Sequence, residues 1–241
     1  MAKFITIGER LSTTAPAVNK AFTERDEEPI LKRAKQQLDA GATYLDVNIG
    51  PAESDGEDLM KWAVQLLQGE FDNVPLALDT SNKKAIEAGI SVYSRAKGKP
   101  IVNSADAAGR IEYLDLAAAN DAICIALCNG EGIAKDNDER MAFCQTLLER
   151  GLEHGMEAED IWFDPLFLVV KGMQDKQMQE AVSNTLILLQ LMMQSLSLFA
   201  TLKVLQKIMT NVWDTARHFW KEVWSMVWKQ KICGLTHYSW L

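Results

Sequence analysis

Several familiar features are missing from this sequence, and each absence closes off a class of protein. The four cysteines, Cys124, Cys128, Cys144 and Cys233, form no Cys-x-x-Cys pair, which argues against metal or redox work. There is no Gly-x-Gly-x-x-Gly loop and no Gly-x-x-x-x-Gly-Lys-Ser/Thr loop, so nucleotide folds lose their main support. Gly130-Glu131-Gly132 follows a strand-like run but has no third glycine, and it reads as a turn. Basic residues are outnumbered, 25 Lys and Arg against 33 Asp and Glu, for a net charge of −8. With no basic stripe or tail, a nucleic-acid partner is not expected. Met1-Ala2-Lys3 runs directly into Phe4-Ile5-Thr6-Ile7-Gly8, too short and too early for a signal peptide. Together with the cysteine usage, this sets the expectation of a reducing, cytoplasmic setting.

What remains is a chain of 241 residues, 48% hydrophobic and 24% charged, enough for one globular domain with a full core. Its informative feature is a series of polar residues placed where apolar runs end. Asp46 and Asn48 close Tyr44–Ile49, and Asp79 closes Val74–Asp79. Asn103 closes Pro100–Asn103, and Asp164 closes Ile161–Asp164. Phe4–Gly8 and Ala122–Leu127 complete a set of six expected strands. Cys124 and Cys128, four apart in one apolar run, are expected on one strand face as buried thiols.

Helix-like segments separate these runs. Pro29–Asp39 repeats apolar residues at Ile30, Leu31, Ala34 and Leu38, with the period of one helical face. Leu59–Leu67 repeats the pattern, Asn82–Ala96 opens on a capping residue at Ser81 or Asn82, and Asp136–His154 carries a charged and an apolar face. Gly41, Gly89, Gly98, Gly151 and Gly155 are expected near helix ends. Strand and helix in alternation predict a parallel sheet covered by helices. Polar tips on successive strands of a single domain favour a closed (β/α)8 barrel, or TIM barrel, over an open doubly wound sheet. In such barrels the site lies at the C-terminal rim of the strands.

The character changes near residue 180. Ala181 to Leu202 holds no charged residue. Beyond Glu180 the acidic residues are Asp214 and Glu222, and five of the seven tryptophans fall at Trp213, Trp220, Trp224, Trp228 and Trp240. The expected organisation is a barrel domain over 1–180 and an atypical tail over 181–241. Three readings of the tail compete: a membrane helix, a helical cap replacing the last βα units, and a change of reading frame. Its many Ser, Thr, Asn and Gln residues weigh against the membrane, and the frame change is the preferred reading.

In order along the chain stand Ile7-Gly8-Glu9-Arg10, Gly41-Ala42-Thr43-Tyr44-Leu45-Asp46-Val47-Asn48, Leu78-Asp79-Thr80-Ser81, Ile101-Val102-Asn103-Ser104 and Phe163-Asp164-Pro165-Leu166. In these motifs the first three-quarters of the chain resembles the pterin-binding methyltransferases. Those enzymes move a methyl group between tetrahydrofolate and a corrinoid protein. They are relatives of dihydropteroate synthase and of the folate module of cobalamin-dependent methionine synthase.

The resemblance implies a TIM barrel of pterin-binding type, with methyltetrahydrofolate or tetrahydrofolate as substrate and a cobamide carried by a partner corrinoid protein. It also implies a homodimer and no metal in the protein itself. Asp79, Asn103 and Asp164 match the positions that hydrogen-bond the pterin. Glu9, Asp46 and Asn48 match rim positions near the same pocket. Each residue has a plainer structural reading as a cap, turn or strand-end group, and their joint occurrence favours the binding reading.

The sequence departs from the family pattern in two places. Leu11-Ser12 stands where the family often has Asn. The family's seventh-strand loop, whose Asn assists transfer at the pterin N5, is matched only in part by Val182-Ser183-Asn184-Thr185. No catalytic residue is therefore assigned. The alternatives are a binding module without catalysis and a dihydropteroate-synthase-like condensing enzyme.

Overall fold

The computed structural model describes residues 5–166. The tail from residue 181, its reading-frame interpretation and the partial loop match at 182–185 lie outside the described residues.

The elements run β1 (Ile7–Ser12), α1 (Pro16–Glu24), α2 (Glu27–Asp39), β2 (Tyr44–Asn48), α3 (Gly56–Glu70), β3 (Leu76–Asp79), α4 (Lys83–Ser91), β4 (Ile101–Asp106), α5 (Glu112–Ala119), β5 (Ile123–Leu127), α6 (Asn137–Glu153) and β6 (Ile161–Asp164). Every neighbouring strand pair is parallel, and the sheet order is β1-β2-β3-β4-β5-β6. A doubly wound sheet would reverse its order at a switch point. This one does not, so the winding is that of a TIM barrel.

The sheet is also curled. Tyr44 on β2 and Trp162 on β6 meet edge to face, with ring centroids 6.0 Å apart. In a flat sheet, strands four apart would be separated by roughly 19 Å. An interior cluster collects Ile7, Tyr44, Ala77, Ile101, Ile123, Ile125 and Trp162, at least one from every described strand. The other sheet face packs outward. Leu45, Val47, Leu76, Leu78, Val102, Cys124 and Ala126 join Ile30, Met60, Val64, Leu67, Ile86, Leu114 and Leu147 of the helices in the main core. Alternation along each strand thus feeds two cores, as barrel geometry demands.

Local chemistry sets the helix starts. Asn82 caps α4, its side-chain oxygen accepting from the Ala85 N–H at 3.3 Å. Asp136 caps α6 in the same way, accepting from the Glu139 N–H at 2.9 Å. Acidic first turns on α2, α3 and α6 complement the helix dipole.

Several expectations need correction. β1 starts at Ile7 and runs through Glu9 to Ser12, because a bulge between Gly8 and Leu11 carries the strand past two polar residues. The α2 side chain of Gln37 stabilises the bulge by accepting the Arg10 N–H at 2.7 Å. α4 ends at Ser91, not at Ala96. Tyr93 beyond it accepts the Leu76 N–H at 3.2 Å instead of continuing the helix. Helices α1 and α5 were not foreseen. Gly89 and Gly151 do lie near helix ends, two residues inside, but without positive φ; a Cβ there would come within 2.6 Å of Met60 and 2.5 Å of Ile161 respectively. They permit close packing and do not end their helices.

Cys124 is a buried strand residue, and burial pushes its thiol up to about 12. Cys128 is also buried but lies one residue past β5, with its sulfur 2.9 Å from that of Cys144 on α6. The two thiols therefore do not share a strand as expected.

Candidate functional site

Parallel pairing sets Asn48, Asp79 and Asn103 side by side on β2, β3 and β4, since Asn48 registers with Asp79 and Asp79 with Asn103. Asp46 lies two residues lower on β2 and registers with Ala77. The Asn103 amide nevertheless reaches over β3 and donates to the Asp46 carboxylate at 2.9 Å. The small Ala77 between them leaves room, and the barrel curl brings alternate strands to one level. The Asn48 amide donates to the second oxygen of Asp79. Its own oxygen accepts the Gly50 N–H at 3.0 Å, which fixes the amide orientation. Two amide–carboxylate pairs therefore form one cluster at the strand tips.

The cluster is electrostatically loaded. Asp46 is 4% exposed. Burial first, and then the charge of Asp79, push its carboxyl up to about 7 against the lowering bond from Asn103, with Glu9 adding a smaller push. Asp79 is raised too, by burial, while the Asn48 bond and the charge of Arg110 hold it back. Like charges at close range disfavour joint ionisation. Glu9 is exposed on β1 at the bulge opposite Asp46, and its charge reaches both the buried Asp46 and the half-buried Asp79.

Asp164 closes β6 on the same rim, where one carboxylate oxygen accepts the Leu166 N–H at 2.8 Å in an Asx turn. No hydrogen bond or ion pair among the described residues joins Asp164 to the Asp46–Asn103 cluster. The structure therefore gathers Glu9, Asp46, Asn48, Asp79 and Asn103 and leaves Asp164 apart at the same sheet end.

Sequence reasoning missed two rim residues. Arg110, in the loop after β4, is bound through Nε to Asp106 at 3.0 Å, and its charge bears on Asp79. Asn129, just past β5, keeps a buried side-chain oxygen without a partner. The Asp106-x-x-x-Arg110 spacing was a possible signal for the first. Nothing local marked the second.

With this geometry in hand, the comparisons with known proteins bear directly on it. A family model described as pterin binding enzyme matches residues 8–209. The chain belongs to this family. The match runs past residue 180, where the composition changes. A methylcorrinoid:tetrahydrofolate methyltransferase from Eubacterium limosum is 29% identical over 171 residues, covering 69% of this chain. The chain spans 62% of that relative's length.

Two solved dihydropteroate synthases are similar in fold. The enzyme from Vibrio fischeri superposes with a TM-score of 0.56 at 16% identity, over 75% of this chain and 68% of its own. The enzyme from Yersinia pestis, determined with a pterine-sulfa conjugate, gives 0.57 at 20% identity, over 76% and 68%. This member of the pterin-binding enzyme family thus shares the barrel of those synthases and presents a carboxylate–amide cluster at its strand tips.

Proposed function

We propose that the protein binds the pterin head of a folate at the Asp46–Asn48–Asp79–Asn103 cluster and moves a methyl group between N5 of that folate and the cobalt of a partner corrinoid protein. The observation that carries the reading is the hydrogen-bond inventory. Asn103 spends one of its two amide N–H groups on Asp46, and Asn48 spends one of its two on Asp79. The acceptors left open are the Asn103 oxygen, the second oxygen of Asp46 and the first oxygen of Asp79, and each of the two amides keeps one further N–H. A reduced pterin offers matching donors in its 2-amino group and ring N–H atoms. Asp164, at the β6 tip, supplies a further acceptor in this reading.

The binding residues act by orientation. Holding the ring by several charge-assisted bonds fixes N5 with respect to the docked partner and supplies the entropic part of the acceleration. A tertiary amine leaves poorly, so hydrogen bonding or proton donation at N5 must strengthen in the transition state. A carboxyl near 7 such as Asp46 exists in both protonation forms near neutrality. It can therefore hold or release a proton beside the ring. The corrinoid supplies the methyl-carrying metal and belongs to the partner. The E. limosum relative is named for a methylcorrinoid and tetrahydrofolate, which supports this pair of substrates. We extend the reading to a homodimer in the cytoplasm.

The test is methyl transfer by the full chain from a methylated corrinoid protein to tetrahydrofolate, followed by the corrinoid absorbance and by methyltetrahydrofolate formation. Transfer supports the reading. Saturable folate binding without transfer would leave a pterin-binding module, and no folate binding would remove the proposal.

A further inference from the structure

Cys128 and Cys144 stand 16 residues apart in sequence, so no Cys-x-x-Cys spacing announced them as a pair. The fold brings their sulfurs to 2.9 Å, and both side chains are buried. A disulfide needs about 2.05 Å between its sulfurs, so closing the bond asks for a shift of roughly 1 Å. The chain around them is in close contact as well. A Cβ on Gly130, two residues past Cys128, would come within 2.6 Å of the Phe143 ring, next to Cys144 on α6. Cys124 is the third buried thiol among the described residues, and its sulfur faces the Ile125 carbonyl at 3.5 Å instead.

The paired thiols are not equivalent. The hydrogen bond shared with Cys128, helped by the charge of Arg140, holds the Cys144 thiol below its ordinary value against its burial. The same contact, together with burial, pushes the Cys128 thiol up. Cys144 is thus the readier thiolate, the form that attacks an oxidant.

Cys128 is also tied into the rim through its backbone. Its N–H donates to the Asp164 carbonyl at 2.8 Å, and the carbonyl of Asn129 accepts the Ala107 N–H at 2.9 Å. These bonds join the segment after β5 to the tip of β6 on one side and to the loop after β4 on the other. Helix α6 packs on the outer face of the sheet through Leu147 and Leu148. A bond to Cys144 therefore pulls Cys128 outward.

We propose that Cys128 and Cys144 are a redox pair that a hydroperoxide closes to a disulfide, and that closure draws the segment after β5 away from Asp164. The Cys144 thiolate attacks the hydroperoxide, the O–O bond breaks, and the sulfur keeps OH as a sulfenic acid while the alkoxide leaves and takes up a proton. The Cys128 sulfur then attacks the Cys144 sulfur. The S–O bond breaks, and hydroxide leaves with the Cys128 proton as water. In sum, two thiols and one hydroperoxide give one disulfide, one alcohol and one water. In a reducing setting the pair rests as thiols, and a dithiol returns it to that state by exchange. The consequence for ligand recognition rests on the pterin reading above; the disulfide does not.

The test treats the full, folded chain with hydrogen peroxide, blocks the remaining thiols with N-ethylmaleimide and maps tryptic peptides. Trypsin leaves Cys124 and Cys128 together on residues 111–135 and Cys144 on residues 141–150, so fragment ions assign the linked sulfurs. A Cys128–Cys144 link that dithiothreitol reverses, with Cys124 still a thiol, is the expected result. Cys128→Ser should lose the link and let Cys144 advance to sulfinic acid. Thiols untouched by peroxide, sulfinic acid at Cys144 of wild type without the link, or a link through Cys124 or Cys233 would overturn the proposal.

Amide hydrogen exchange reads the pull on the rim. Exchange at the Cys128 N–H should quicken on oxidation, with or without folate, and unchanged exchange would overturn that part. Calorimetry with 5-methyltetrahydrofolate reads the site. Oxidised protein should bind about tenfold more weakly, roughly the worth of one hydrogen bond, and dithiothreitol should restore the affinity. Equal affinity in both forms would overturn the coupling to binding. Reduced protein that binds no folate would contradict the pterin reading and leave the disulfide and exchange results standing.

Discussion

The lower and upper parts of the barrel interior stand on opposite chemical terms, the lower drawing on all six described strands and the polar cluster above on β2, β3 and β4. Below, Ile7, Tyr44, Ala77, Ile101, Ile123, Ile125 and Trp162 close an apolar plug. Above, Asp46, Asn48, Asp79 and Asn103 replace apolar side chains with carboxylates and amides. The plug contributes stability through buried area. The rim costs stability, because it desolvates two acids and sets them within reach of each other. The difference teaches where the fold is made and where binding is prepared. A few residues along one strand separate the two.

The contrast can be broken from below. Ile101 is fully buried in the plug. Ile101→Ala should lower unfolding free energy by about 2–5 kcal/mol, as truncation of a buried Ile does. Urea unfolding followed by circular dichroism measures it, and folate affinity of the folded fraction should change far less. Comparable losses in both would show that plug and rim are not separable.

From above, the sign reverses. The Asp46 carboxyl goes from its ordinary 3.8 up to about 7 on folding. An acid raised in the native state contributes fully below the unfolded value, and that contribution is lost as pH rises through the folded one. Stability attributable to Asp46 should therefore fall between about pH 4 and pH 7, by on the order of 2–4 kcal/mol. Asp46→Asn should flatten this slope and be the more stable protein at pH 8 while binding folate less well. Urea melts of both proteins across this range decide it. Parallel pH slopes would count against a raised Asp46.

Asn103→Ala removes the donor that reaches Asp46. It should weaken methyltetrahydrofolate binding by tenfold or more, roughly 1.4 kcal/mol, with the cooperative thermal transition retained. Asp164→Ala should weaken binding in the same way, and unchanged affinity in both would remove the pocket assignment. The smallest effect is expected at Cys124. Its buried thiol, pushed up to about 12, should resist alkylation in the native protein and react after denaturation. Peptide mass spectrometry reads both states.

Much of this contrast was legible in the sequence. Five of the six strands fall within two or three residues of their expected ends, and the Asp and Asn residues stand at or just inside the strand tips. An apolar run followed by a polar group records both the buried strand and its exposed end. The unread parts depend on contacts between distant segments. β1 crosses Glu9 and Arg10 only because Gln37, on another element, binds the bulge. Helices α1 and α5 are short and have no side-chain cap bond at their starts, and the weaker local signals, Pro16 in the first turn of α1 and Glu112 and Asp115 in that of α5, were passed over. Arg110 drew no attention in the sequence, and its place is set by the folded position of Asp106, which binds it. Asp164 shows the converse. Its place on the rim was readable, but its visible bond is the turn to Leu166.

The most direct test is equilibrium binding of a tetrahydropterin head group, without the aminobenzoyl-glutamate tail, to the full chain and to the Asp79→Asn/Asn103→Ala double variant. If the strand-tip acceptors form the receptor, wild type should bind the head group saturably and the double variant should lose most of that affinity. Equal binding by both proteins, or none by wild type, would contradict it.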